Sequence, residues 1–143
     1  MSEKGQKISK MKVGIIGSRQ YENRKKVKDT IFNLQKKFGT KLTIVSGGCK
    51  DGADRYAKKF ALEFNCKYVE FNPAHTVYNF YSALTEKYYG KQYNTRHFFI
   101  RNIMLAKYCD VVIGFIASGN DARGTNHALT EAKKNDKKVV IIS

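Results

Sequence analysis

The stretch Asp110–Thr125, DVVIGFIASGNDARGT, constrains this chain most. It opens on an acid and then runs apolar to Ile116, without the polar alternation of a strand that has one wet face. Such a strand, Asp110 to Ile116, must be covered on both sides. Ser118, Gly119, Asn120, Asp121 and Ala122 read as a loop, and Arg123, Gly124 and Thr125 open a helical pattern. Strand, glycine-bearing loop and helix start make a frame suited to an anion. The N–H groups of the first helical turn lack partners, and the helix dipole favours negative charge there. An ordinary strand-to-helix turn is the alternative, so a functional reading needs more turns of the same kind.

The rest of the chain supplies them. Lys12–Gly17 (KVGIIG) reads as a first strand, followed by a loop of Ser18, Arg19, Gln20 and Tyr21. Val27, Ile31, Leu34 and Phe38 recur at helical spacing, and Gly39 ends that helix. Lys41–Val45 is a second strand, and Ser46–Gly52 is a glycine-rich turn in which Asp51 is placed to cap the next helix. That helix buries Ala53, Ala57, Phe60, Ala61 and Phe64. The third strand, Lys67–Phe71, alternates and so belongs near a sheet edge.

Ala74–Thr95 is tyrosine-rich and aperiodic, and is expected to form a short helix and a long loop acting as a lid. Arg96–Tyr108 reads as a helix with Phe99, Ile100, Ile103 and Met104 on one side. A last helix spans Thr125 to Asn135, and a last strand Val139 to Ile142. Strand and helix alternate throughout, which predicts an α/β fold: a Rossmann-like three-layer sandwich around a five-stranded parallel sheet. The expected strand order is 3-2-1-4-5, with ligand bound beyond the carboxyl ends of the first and fourth strands, where the winding reverses. Residues 1–10 are expected to be a flexible basic arm, and residues 11–143 a single domain.

The chain has 143 residues, with 27 basic and 12 acidic side chains and a formal charge of +15. That excess favours anionic partners, although the lysines are scattered in pairs, as on a solvated surface. No apolar run approaches the roughly 20 residues of a membrane span, and the polar N-terminus is not a secretory signal. Cys49, Cys66 and Cys109 are odd in number and lack metal-ligand spacing, as expected of idle thiols in the cytoplasm. No metal and no cofactor is expected.

The expected site comprises Gly17, Ser18, Arg19, Ser46, Gly47, Gly48, Ser118, Arg123, Gly124 and Thr125. The glycines admit close backbone approach, the arginines can fork onto phosphate, and the hydroxyls can bond it. His127, in the first turn of the last helix, lies beside this site and is either a ligand contact or a surface histidine. GSRQYEN stands where a dinucleotide fingerprint GxGxxG would, and no GxxxxGK[ST] occurs. Ordinary NAD dehydrogenase and P-loop NTPase readings are therefore poor.

The segments IIGSR, SGG followed by DGADRYA, and RN-x-M leading to CDVVIGF and RGT resemble the SLOG superfamily, which covers nearly the whole chain from Met11 onward. The closest likeness is to its small stand-alone branch in bacteria and phages. LONELY GUY-type phosphoribohydrolases and the Rossmann domain of DNA-processing protein A are in the same superfamily. The resemblance implies a nucleotide or nucleotide-derived ligand, such as a nucleoside phosphate or an ADP-ribose-like molecule, and a homo-oligomer, often a dimer. It adds Asp54, Arg101 and Asn102 to the ligand-binding set. It also implies a catalytic role for Arg101, which stands nine residues before Asp110 as in the phosphoribohydrolases.

Those enzymes carry PGG-x-GT-x-x-E, whereas this chain reads SGNDARGTNHA, with Ala128 at the glutamate position. Glu131 is nearly one helical turn too far, leaving Asp121 or Asp54 as substitutes. The leading expectation is therefore a binding protein that senses or sequesters its ligand. A nucleotide N-glycosidic hydrolase or ribosyltransferase is the enzyme alternative. Single-stranded nucleic-acid binding through lysines and the tyrosines of residues 78–93 is the third.

Overall fold

The computed structural model describes residues 10–49, 51–72 and 95–143. Its elements are β1 (Met11–Gly17), α1 (Arg24–Phe38), β2 (Leu42–Ser46), α2 (Gly52–Glu63), β3 (Lys67–Glu70), α3 (Thr95–Tyr108), β4 (Val111–Phe115), α4 (Arg123–Lys134) and β5 (Lys138–Ile142). The strands form one parallel sheet in the order β3-β2-β1-β4-β5, as the alternation predicts. β3 is indeed an edge strand. The expected lid falls on residues outside those described, apart from Thr95, where α3 begins. Residues 1–9 of the expected arm lie outside them too.

The pleat explains the two cores. Val13, Ile15, Leu42, Ile44, Ile113 and Phe115 point to the face covered by α1 and α2, where Val27, Ile31, Ala57 and Phe60 meet them. Ile16, Val45 and Val112 point to the opposite face, where Leu105 and Ala106 of α3 and Ala128, Leu129 and Ala132 of α4 meet them. β4 therefore contributes to both cores, as its continuous apolar run requires. Among the described residues, no helix is long and apolar enough to cross a membrane.

Local chemistry sets the helix ends. The Asn23 side chain accepts a hydrogen bond from the Lys26 N–H at 3.2 Å at the start of α1. Lys36 and Lys37 sit in its last turn, where the dipole favours cations. α2 and α4 end alike, on a left-handed residue, Asn65 or Asp136, both with φ 58°.

Two expectations are corrected. Asp51 occupies the cap position of α2, but its side chain makes no capping hydrogen bond. The carboxylate serving this turn is Asp54, which accepts from the Cys49 N–H at 3.3 Å. The buried face of α3 is Asn102, Leu105 and Ala106, not the stripe of Phe99, Ile100, Ile103 and Met104. Apolar side chains surround this helix, so hydropathy could not choose its face. A buried asparagine does so, because its amide is fully engaged.

Candidate functional site

The sheet reverses its winding between β1 and β4, and the loops beyond their carboxyl ends frame a cleft of about 720 Å³. That volume suits a nucleotide-sized ligand. The β1–α1 loop contributes Gly17, Ser18, Arg19 and Gln20, and the β2–α2 region contributes Cys49 and Asp54. α3 contributes Phe99, Arg101 and Asn102. The β4–α4 turn and the first turn of α4 contribute Asp121, Arg123, Gly124, Thr125 and His127.

Nine expected site residues thus come together: Gly17, Ser18, Arg19, Asp54, Arg101, Asn102, Arg123, Gly124 and Thr125. Ser46, Gly47, Gly48 and Ser118 are not in the lining. Ser118 is exposed in its loop. The other three form a support behind the cleft. The Gly48 N–H donates to the Ser46 hydroxyl at 3.0 Å, and that hydroxyl lies 2.6 Å from the Tyr68 hydroxyl. Tyr68 in turn donates to the Glu70 carboxylate at 3.0 Å. Since the Tyr68 proton goes to Glu70, the Ser46 proton must go to Tyr68.

Glu70 is only 2% exposed, and its charge is met by the Lys58 ammonium at 3.5 Å. Burial, reinforced by the neighbouring Glu70 charge, raises the Tyr68 pKa and keeps this proton in place. Asn72 adds a hydrogen bond to the Gly48 carbonyl at 3.0 Å. The Ser46–Gly48 turn is therefore fixed by a buried polar chain and holds the wall of the cleft.

Arg101 bridges this wall to α3. Its Nη1 donates to the Gly47 carbonyl at 2.8 Å and to the Phe71 carbonyl at 3.4 Å, and its Nε donates to the Asn102 Oδ1 at 2.7 Å. A side chain at position 47 would meet the Arg101 guanidinium and the Asp54 carboxylate, so the bare backbone of Gly47 is what permits this close approach as it stands. Asp54, 5% exposed, faces the same arginine. Burial pushes its carboxyl up to about 6, against the opposing pull of Arg101 and of the Cys49 and Gly47 N–H groups, while Glu70 adds to the rise. Burial lowers the Arg101 pKa, opposed first by Asp54, while Arg19 across the cleft adds to the lowering.

The opposite wall is more open. Arg123 pairs with Asp121 through two contacts at 3.0 and 3.2 Å, with both side chains mostly exposed. The Gln20 Oε1 accepts from the Asp121 N–H at 2.8 Å, tying the β1–α1 loop to the β4–α4 loop. The cap residue Ala122 makes no side-chain bond, but the Asp121 Oδ1 accepts from the first N–H of α4, that of Arg123, at 3.2 Å; the helix start faces the cleft at Gly124 and Thr125. Asn102, 5% exposed, donates to the Gly124 carbonyl at 3.1 Å and lies 3.2 Å from the His127 Nδ1.

Sequence reasoning missed Gln20, Cys49 and Phe99. The first two lie in or beside motif-bearing turns but are not themselves motif residues, and Phe99 reads only as one of the apolar residues along one side of its helix. Among the described residues, no group of His, Cys, Asp or Glu is placed to hold a metal ion.

The model of the YspA, cpYpsA-related SLOG family matches residues 11–78. Among solved structures, the chain is similar to the molybdenum cofactor binding protein from the phototrophic bacterium Rippkaea orientalis, with a TM-score of 0.68 and 20% identity over 94% of this chain and 77% of that one. It is also similar to the molybdenum cofactor carrier protein from Chlamydomonas reinhardtii, with a TM-score of 0.62 and 17% identity over 92% of this chain and 76% of that one. These likenesses show a shared fold. No curated protein matches the chain. Over residues 11–78 the chain is thus similar to the YspA, cpYpsA-related SLOG family.

Proposed function

We propose that this protein binds a nucleotide or nucleotide-derived molecule, of the nucleoside phosphate or ADP-ribose-like kind, in the cleft beyond β1 and β4, and that it senses or sequesters this ligand. One observation carries the reading: Arg19, Arg101 and Arg123, from three different segments, line one cleft together with the first turn of α4. Arginine forks beside the first turn of a helix suit a phosphate. The similar solved structures are named for the molybdenum cofactor, which supports small-ligand binding by this fold and makes that cofactor the competing ligand.

The test is equilibrium binding of AMP and ADP-ribose. Arg19→Ala and Arg123→Ala alter exposed side chains, so the fold should be kept. Each should weaken binding about tenfold, the scale of one charge-assisted hydrogen bond. Unchanged affinity in both variants would remove the arginine cradle from the account.

A second reading, N-glycosidic hydrolysis, draws support from the buried Asp54 carboxyl beside Arg101 in the cleft. Against it, Ala128 packs in the core where the phosphoribohydrolases have glutamate. The Glu131 carboxylate lies 3.2 Å from the Lys134 ammonium and outside the cleft lining. Release of free base from AMP would establish this reading, and intact AMP after long incubation would end it. Nucleic-acid binding rests on the charge of +15, and steep loss of single-strand affinity with salt would mark it. A homodimer in the cytoplasm completes the proposal. It rests on the family resemblance and three free thiols, and a monomeric mass in light scattering would refute the dimer.

A further inference from the structure

Phe99 is out of place for a core residue. Its side chain is 43% exposed, whereas Leu105 and Ala106 farther along the same helix are at 1% and 0%. It lines the cleft, where among the described residues its neighbours are otherwise charged, polar or small. Among the described residues, Phe99 and His127 are the aromatic rings of that lining.

The Phe99 ring is also held in position. Its centroid lies 4.5 Å from that of the His127 imidazole, with the planes tilted by 45°. His127 is fixed in turn by the buried Asn102 amide at its Nδ1, and by Glu131 4.0 Å from its Nε2. The same Asn102 amide bonds the Gly124 carbonyl in the first turn of α4. One buried side chain therefore sets both the aromatic end of the cleft and its helix N-terminus. An aromatic ring kept rigid and wet at the edge of an arginine-lined cleft offers a stacking face at a fixed offset from a phosphate position.

We infer that Phe99 is the base-stacking face of this cleft and that it takes the planar base of a nucleotide, whose phosphate lies toward the arginines and the α4 N-terminus. This rests on the nucleotide reading proposed above and adds the base as a recognised part and the residue that recognises it.

The test compares AMP with ribose 5-phosphate, which has the same phosphate and sugar without the base. The wild type should bind AMP more tightly. Phe99→Ala should lose about tenfold in AMP affinity, as expected for one stacked base, and leave ribose 5-phosphate unchanged. The chain contains no tryptophan, so Phe99→Trp supplies a single indole reporter. Its emission should be quenched by AMP and not by ribose 5-phosphate. Equal weakening of both probes in Phe99→Ala would make Phe99 a structural residue and overturn the assignment. So would AMP binding to Phe99→Trp without quenching. Equal wild-type affinity for the two probes would overturn the stacking face while leaving the phosphate cradle intact. Binding of neither probe would sink the nucleotide reading itself, and the stacking face with it.

Discussion

Arg101 and Asp54 show how a residue can serve a site by being committed elsewhere. The resemblance marks Arg101 as catalytic, but in the structure its donors hold the Gly47 and Phe71 carbonyls and the Asn102 amide oxygen. The arginine still lines the cleft, but it also joins the Ser46–Gly48 turn to α3. Asp54 beside it carries a measurable consequence. Its carboxyl is raised from 3.8 to about 6, so the folded chain holds that proton more tightly than the unfolded chain. The resulting stability is fully present below pH 3.8 and is lost as pH rises through about 6. The span corresponds to on the order of 3 kcal/mol. Urea unfolding between about pH 4 and pH 7 should show wild type losing its margin over Asp54→Asn as pH rises. A margin that stays constant across this range would contradict the assignment.

Tyr68 sets a second test at the same scale. Tyr68→Phe leaves the buried Ser46 hydroxyl and the Glu70 carboxylate without their shared partner. It should destabilise the chain by about 1–3 kcal/mol in urea unfolding. A cost within error of zero would mean that the Ser46–Glu70 chain does not hold the turn.

At the scale of elements, legibility followed burial. β1, β2 and β4 could be read because a strand covered on both faces must be apolar throughout, and the loops beyond them followed from strand order. Nine of the residues expected this way, or through the family motifs, line the same cleft. The face of α3 was not legible, because apolar residues surround it and only tertiary contacts decide. Asn102 is the clearest case: a polar residue on the buried face of α3, at the cleft, because the Gly124 carbonyl and the His127 ring are there to receive it. The cap at Asp51 failed for a different reason. Gly52 has a φ of 69° and packs against the Ser18 carbonyl, and that geometry, absent from any propensity, sets the start of α2. Ser46, Gly47 and Gly48 are legible as a special turn, and the structure places them behind the cleft lining. Sequence spacing marks a constrained turn without saying whether it faces a ligand or braces a wall.

For the whole molecule, the central claim is that the reversal of the sheet between β1 and β4 creates a cleft for a phosphorylated, nucleotide-type ligand. The strand order fixes where that cleft lies, and the loop residues fix its charge. The charge of +15 bears on encounter with any anion and does not choose among them. Choice rests on the lining, in which arginines and a helix N-terminus stand beside the Phe99 ring held against His127. The most direct test is mass spectrometry of the small molecules released when freshly purified protein is denatured, with molybdenum measured on the same sample. The account predicts an intact nucleoside phosphate or ADP-ribose-like species in stoichiometric amount, without molybdenum. Stoichiometric molybdenum, or a released base together with a ribose phosphate, would contradict it, the first in favour of a cofactor carrier and the second in favour of a hydrolase.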